Sequence, residues 1–182
     1  MRVLERKRFS GLVILVAAAL LLLAAPSLAG QYKILRVCDG DTISINYQGK
    51  EERVRLLRVD TPESVHPDKK QNIPMGKTAA EYTEKRLAGK SIDLEFEGER
   101  KDRHGRLLAY VFVGGKNYCL ELVEKGLSPY YTKYGLSKKY DKEFRQAETQ
   151  ARKQGLGIWG DPELTQKYLR LKSKWGHGTA NK

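Results

Sequence analysis

Val54-Arg55-Leu56-Leu57-Arg58-Val59-Asp60-Thr61-Pro62-Glu63 decides how this chain folds. Val54 and Leu56 fall on one side of an extended backbone, and Arg53 and Arg55 on the other, the alternation of a half-buried strand. Pro62 lacks an N–H and pushes Thr61 toward an extended conformation, so the strand ends in a turn. An arginine, an aspartate and a glutamate therefore reach one strand end within nine residues. A guanidinium grips a phosphate through two hydrogen bonds. A carboxylate beside a carbonyl suits a hard cation, and a second carboxylate can orient or deprotonate a water. Taken alone, the stretch reads more simply as a strand with a solvated charged rim, the commoner fate of such charges.

Upstream, 32–46 reads as two strands bent at Asp39-Gly40-Asp41, with Ile34, Val37, Ile43 and Ile45 as the apolar positions. Tyr47-Gln48-Gly49-Lys50 turns the chain into the strand above, completing a three-stranded meander. Asp39 and Asp41 lie at its first bend, Asp60 at its far end, and pairing can bring these ends together.

Downstream, Ser64 to Met75 is a polar loop with His66, Lys69 and Lys70 and no core pattern. Gly76 to Ala88 reads as a helix stopped by Gly89, and Ser91 to Phe96 as a fourth strand. A charged loop from Gly98 sets Arg106 at the entrance of a fifth strand, Leu107 to Val113, where a second guanidinium could reach the same phosphate as Arg55. Leu120, Val123 and Leu127 mark a short helix ending near Gly126. Tyr130, Tyr131, Lys133 and Tyr134 form either a base-stacking loop or a tyrosine-rich packing loop. Ser137 is the expected N-cap of a helix carrying Tyr140, Phe144, Ala147 and Ala151, after which Ile158 and Trp159 pack back on the body. Asp161-Pro162 opens a last, basic helix with Lys167, Arg170, Lys172 and Lys174, which docks, extends a nucleic-acid surface or frays. The expected fold class is α+β: a five-stranded Greek-key barrel of the oligonucleotide/oligosaccharide-binding (OB) type, about three packed α-helices and a C-terminal helical extension. The domain spans 30–160, and 161–182 hold the extension and a tail.

Arg2, Arg6, Lys7 and Arg8 precede an uncharged run from Phe9 to Gln31, and Ser27-Leu28-Ala29 supplies small residues for a peptidase. Residues 1–29 are expected to be a signal peptide cleaved after Ala29, giving a secreted, periplasmic or cell-envelope protein. An uncleaved membrane anchor is the alternative. The whole chain has 34 Lys and Arg against 22 Asp and Glu; without 1–29 the balance is 30 to 21, net +9. Such charge suits a polyanion, nucleic acid or an anionic membrane. Cys38 and Cys119 fit one disulfide or two free thiols equally well. His66, His104 and His177 are scattered without zinc spacing.

Four segments together resemble the staphylococcal (micrococcal, thermonuclease) nuclease family: Asp39-Gly40-Asp41-Thr42, Arg55 through Glu63, Asp102-Arg103-His104-Gly105-Arg106, and Gly155-Leu156-Gly157-Ile158-Trp159. The resemblance covers about 32–159 in order and spacing. It implies a secreted, calcium-dependent phosphodiesterase cutting DNA and RNA to 3′-phosphate products by in-line attack of water. Asp41 and Asp60 would ligate Ca²⁺ by their carboxylates and Thr61 by its carbonyl, with Asp39 supporting them from behind. Glu63 would activate the water, and Arg55 and Arg106 would clamp the phosphate. Lys69, Lys70, Arg103, His104, Tyr131 and Tyr134 are the candidate substrate contacts. His104 and Arg103 depart from the tyrosine and lysine of the type member. The expected partners are DNA and RNA, with no obligate protein partner and a monomeric chain. A binding barrel without cleavage is the alternative, but such copies are expected to lose the arginine–glutamate set, which this chain keeps.

Overall fold

The computed structural model describes residues 32–62 and 74–174. The leader read in 1–29, the connection with Glu63, Lys69 and Lys70, and the tail after Lys174 lie outside the described residues. Strands β1 (Tyr32–Asp39), β2 (Thr42–Tyr47) and β3 (Lys50–Leu56) form the meander. Ile34 and Val37 are three apart, an odd spacing for one face of a strand. A register shift between Ile34 and Arg36 absorbs the extra residue. Gln48 and Gly49 both take positive φ, 53° and 83°, giving the tight turn a right-twisted hairpin needs.

β4 (Ser91–Lys101) pairs with β1, and β5 (Leu107–Val113) pairs antiparallel with β4 and parallel with β3. The parallel pairing sets Val54 against Leu107 and Arg55 against Leu108, and it closes the barrel. The OB-type barrel read from the sequence is therefore present, with a two-residue strand β6 (Lys116–Asn117) added to β5. β4 runs five residues past Phe96. A register shift between Phe96 and Lys101, at the left-handed Gly98, lets the charged segment keep pairing while solvent-exposed.

The barrel interior is Ile43, Ile45, Val54, Leu56, Ile92 and Val111, all buried. Each such aliphatic side chain contributes about 1.5–3 kcal/mol when fully removed from water. Helix α1 (Pro74–Leu87) adds Ala79 and Leu87, α2 (Tyr118–Glu124) adds Leu122 and Val123, and α3 (Asp141–Lys153) adds Phe144. Ser137 is not the N-cap of α3. Tyr140 holds that position, and Ser137 Oγ accepts from the Tyr140 N–H at 2.9 Å in a turn before the helix. Helix α4 (Pro162–Lys174) is capped by Asp161, whose Oδ1 accepts from the N–H groups of Glu163 and Leu164. It docks: Tyr168 is buried with Ala151, Ile158 and Trp159, and Lys172 donates to Glu148 at 2.9 Å and to the Tyr130 carbonyl at 2.8 Å.

The Gly155-to-Trp159 motif has a steric basis. Ile158 N–H donates to the Gly126 carbonyl at 2.9 Å, and a Cβ on Gly157 would stand 2.2 Å from that same oxygen. Only glycine permits this crossing.

No disulfide joins the cysteines: Cys38 is exposed on β1 and Cys119 is buried in α2. Burial pushes the Cys119 thiol up to about 12, so it is protonated and inert at neutral pH. A chromogenic disulfide reagent at pH 8 should label one thiol of the native chain rapidly, and the second only in denaturant. Fast labelling of both in the native protein contradicts this packing.

Candidate active site

Arg55 leaves β3 on the side opposite Val54 and Leu56 and is largely enclosed, its side chain 15% exposed. Its Nη2 lies 2.9 Å from Asp60 Oδ1 and 3.3 Å from Asp41 Oδ2. Its Nη1 donates to the carbonyls of Leu56 at 3.0 Å and Val59 at 2.8 Å. Desolvation is the largest influence on this guanidinium and opposes its charge. Asp41 and then Asp60 outweigh it, and the pKa stands above the ordinary arginine value.

The carboxylates are held as firmly. Leu56 N–H donates to the Asp41 carbonyl at 2.9 Å, and Thr42 is the register partner of Arg55, so the β2–β3 ladder itself places Asp41 beside Arg55. Asp41 Oδ2 accepts from the Thr61 N–H at 2.9 Å and the Thr61 hydroxyl at 3.2 Å; its Oδ1 accepts from the Thr42 hydroxyl at 3.1 Å. Asp60 N–H donates to Ser128 Oγ at 2.7 Å. The turn before Asp41 is pinned from α1, because Thr83 Oγ1 donates to the Gly40 carbonyl at 2.8 Å. A Cβ on Gly40 would meet Thr61 Oγ1 at 2.7 Å. Asp39 is half-buried at the end of β1, opposite Thr42.

Asp41, Arg55, Asp60 and Thr61 therefore converge. Arg106 immediately precedes Leu107, the partner of Val54, on the strand neighbouring β3 about 4.8 Å away. Its guanidinium is held by Asp102, which accepts from Arg106 Nε at 2.8 Å and from the Arg106 and His104 backbone N–H groups at 2.9 Å each. Burial opposes ionisation of Asp102, but these bonds outweigh it and hold the carboxyl below its ordinary range. Arg103 and His104 are exposed at the hairpin tip, where Arg103 Nε donates to His104 Nε2 at 3.2 Å. Glu63, Lys69 and Lys70 lie outside the described residues.

The tyrosine loop divides by role. Tyr130 is core: it stacks on Phe144 at 5.0 Å and its hydroxyl donates to Asp141 at 2.8 Å. Tyr131 is half-buried. Its phenol is raised by burial and then by the negative charge of Asp60. Tyr134 is 75% exposed and meets Tyr131 edge-on at 5.8 Å.

The donor set suits a hard cation. Asp41 and Asp60 offer anionic oxygens within 3.3 Å of one nitrogen, and Thr61 adds a carbonyl next to Asp60 in the chain. No group of three or more His, Cys, Asp and Glu that could hold a metal occurs among the described residues, so water would complete the coordination, as Ca²⁺ tolerates. Ser128, Asp102, Arg58 and Glu97 support this site and were not singled out from the sequence. Only Asp102 had a readable sign, the Asp-x-x-Gly-Arg spacing of a side chain folding back on its own turn.

The model of the family described as staphylococcal nuclease homologue matches residues 53–161. The chain belongs to this family. A thermonuclease of Staphylococcus hyicus is 36% identical over 170 residues, covering 86% of this chain and 99% of that protein. A thermonuclease of Staphylococcus intermedius is 42% identical over 128 residues, covering 70% and 75%. Endonuclease YncB of Bacillus subtilis (strain 168) is 40% identical over 125 residues, covering 68% and 59%.

Arg58 and Glu97 give this family member a buried ion pair at 2.7 Å beside the site, their side chains 11% and 9% exposed. Burial opposes the Glu97 charge most strongly, but Arg58 and the Lys138 N–H outweigh it, so its pKa lies below the ordinary 4.5. The stability it contributes is fully present above pH 4.5 and is lost as pH falls through the lower folded value. Glu97→Gln strands a buried guanidinium and should cost about 3–5 kcal/mol at pH 7. It should also flatten the acid side of the stability profile. Urea unfolding at pH 7 and in steps below 4.5 measures both effects.

Proposed function

We propose that this chain is an exported, calcium-dependent nuclease that hydrolyses phosphodiester bonds of DNA and RNA to 3′-phosphate products. The observation that carries the proposal is the Asp41–Arg55–Asp60 cluster, a cation site built of oxygens and a phosphate grip built of one guanidinium sharing an atom's width. Relatives named thermonuclease and endonuclease support the reaction class. Asp41, Asp60 and the Thr61 carbonyl would hold Ca²⁺. A bound Ca²⁺ would neutralise phosphate charge and polarise the P–O bonds.

The chain's own residues supply the rest. Arg55, already aligned by four acceptors, donates to a non-bridging phosphoryl oxygen as charge grows there. Arg106, held at the end of β5 by Asp102, donates from the neighbouring strand. Glu63 takes a proton from the attacking water while the new O–P bond forms in line with the departing 5′ oxygen. The P–O5′ bond breaks, and that oxygen receives its proton from Arg106 or solvent. Tyr131 and Tyr134, an edge-on ring pair, offer surfaces for bases. Export rests on the leader in 1–29, and mass spectrometry of the exported protein should find a chain beginning at Gly30.

Plasmid DNA incubated with the full exported chain should be degraded with Ca²⁺ and left intact with EGTA. Arg55→Gln should lower kcat/KM by about 100- to 1,000-fold, the scale of one lost preorganised donor. Digestion that continues in EGTA contradicts the cation assignment. Glu63→Ala at wild-type rate removes Glu63 from the proton transfer.

A further inference from the structure

Arg58 is the residue of the deciding stretch that the chemistry above does not use. It sits just past β3 with φ 65°, a left-handed backbone that side chains other than glycine rarely adopt. That turn aims its carbonyl at the Tyr131 N–H, 2.9 Å away. The side chain then reaches the far end of the same loop: Nη1 donates to the Gly135 carbonyl at 2.6 Å and to the Tyr134 carbonyl at 3.2 Å. Nη2 is fixed by Glu97 at 2.7 Å, and Glu97 also accepts from the Lys138 N–H at 2.9 Å. One residue thus binds both ends of 131–135 two positions before Asp60.

We propose that Arg58, anchored by Glu97, is a positioning residue that holds the Tyr131–Tyr134 ring pair at a fixed height over the Asp41–Arg55–Asp60 cluster and so sets the affinity for the nucleotide next to the scissile phosphate. The proposal rests on the nuclease reading for the identity of the ligand. The geometry supplies the rest. The exposed Tyr134 ring is held edge-on to Tyr131 at 5.8 Å, and its own carbonyl is one of the two that Arg58 engages. Stacking on a ring repays binding only when the ring is already in place, because ordering a loose loop consumes the gain. Arg58 touches neither the scissile phosphate nor the cation ligands, so its loss should appear in binding and leave the chemical step unchanged.

Arg58→Gly is the informative variant, because glycine adopts the left-handed turn without steric cost and keeps the carbonyl bond to Tyr131. Arg58→Lys keeps the charge but not the two-pronged reach. The probe is a fluorescently labelled single-stranded oligonucleotide bound to the full exported chain in EGTA, read by anisotropy. Cleavage of the same oligonucleotide in Ca²⁺ gives kcat and KM. Arg58→Gly should weaken binding and raise KM by about tenfold, with kcat within about twofold of wild type; Arg58→Lys should restore only part of this. In Tyr134→Ala the further change Arg58→Gly should alter binding by less than about twofold, since the ring it positions is gone. Amide exchange at Tyr134 and Gly135 should quicken in Arg58→Gly while the barrel amides stay protected. Wild-type affinity in Arg58→Gly, a loss confined to kcat, or full additivity with Tyr134→Ala overturns the proposal. An inactive wild type that still binds the oligonucleotide overturns the nuclease reading and leaves the binding comparison as the test of Arg58.

Discussion

One buried guanidinium sets the terms for this end of the barrel. Arg55 places four donor contacts on two carboxylates and two carbonyls that come from β3, the turn after it and the β1–β2 bend. Without it, Asp41 and Asp60 would be two like charges at one rim with no counter-charge between them. With it, both carboxylates meet one shared counter-charge. The same charge that organises the site in the free protein is the one a phosphate would recognise. Binding would then trade carboxylate contacts for phosphate contacts around a side chain that hardly needs to move, which is what preorganisation means in this setting.

The barrel's topology is what makes this possible. An antiparallel meander alone would bring Asp41 to Arg55 through the β2–β3 ladder, but it would leave the hairpin bearing Arg106 elsewhere. The single parallel pairing, β3 with β5, closes the sheet and lays the entrance of β5 alongside Val54. Stability and function share that pairing. It removes the sheet edges and carries a second arginine to the rim, where Asp102 fixes its direction at 2.8 Å.

Much of this was legible in the residues. Alternation and turn chemistry located all five barrel strands, and the Asp161-Pro162 pair marked the start of α4 correctly. What escaped were features that depend on partners distant in sequence. Ser137 has the look of a cap, yet its hydroxyl answers to Tyr140 and to Tyr110, whose hydroxyl lies 2.6 Å away, so the helix begins later. Tyr130 and Tyr134 are chemically identical and four residues apart. Only the position of Phe144 and Asp141 on α3 decides that the first is core and the second is surface. Arg58 is invisible in the same way: no local pattern reveals a left-handed arginine whose counter-charge, Glu97, sits 39 residues away on the bulged part of β4.

The division of labour between fixed and connecting segments follows from these contacts. Asp41, Arg55 and Asp60 stand on the barrel, and the backbone at both ends of the 63–73 connection is tied to it. Thr61 is bound to Asp41 before the connection, and Thr83 of α1 is bound to the Gly40 carbonyl after it. Tyr118 donates to Thr83 at 2.9 Å, so α2 braces the same point. Such a layout keeps Asp41, Arg55 and Asp60 in register with one another through the β ladder and the turn tied to it.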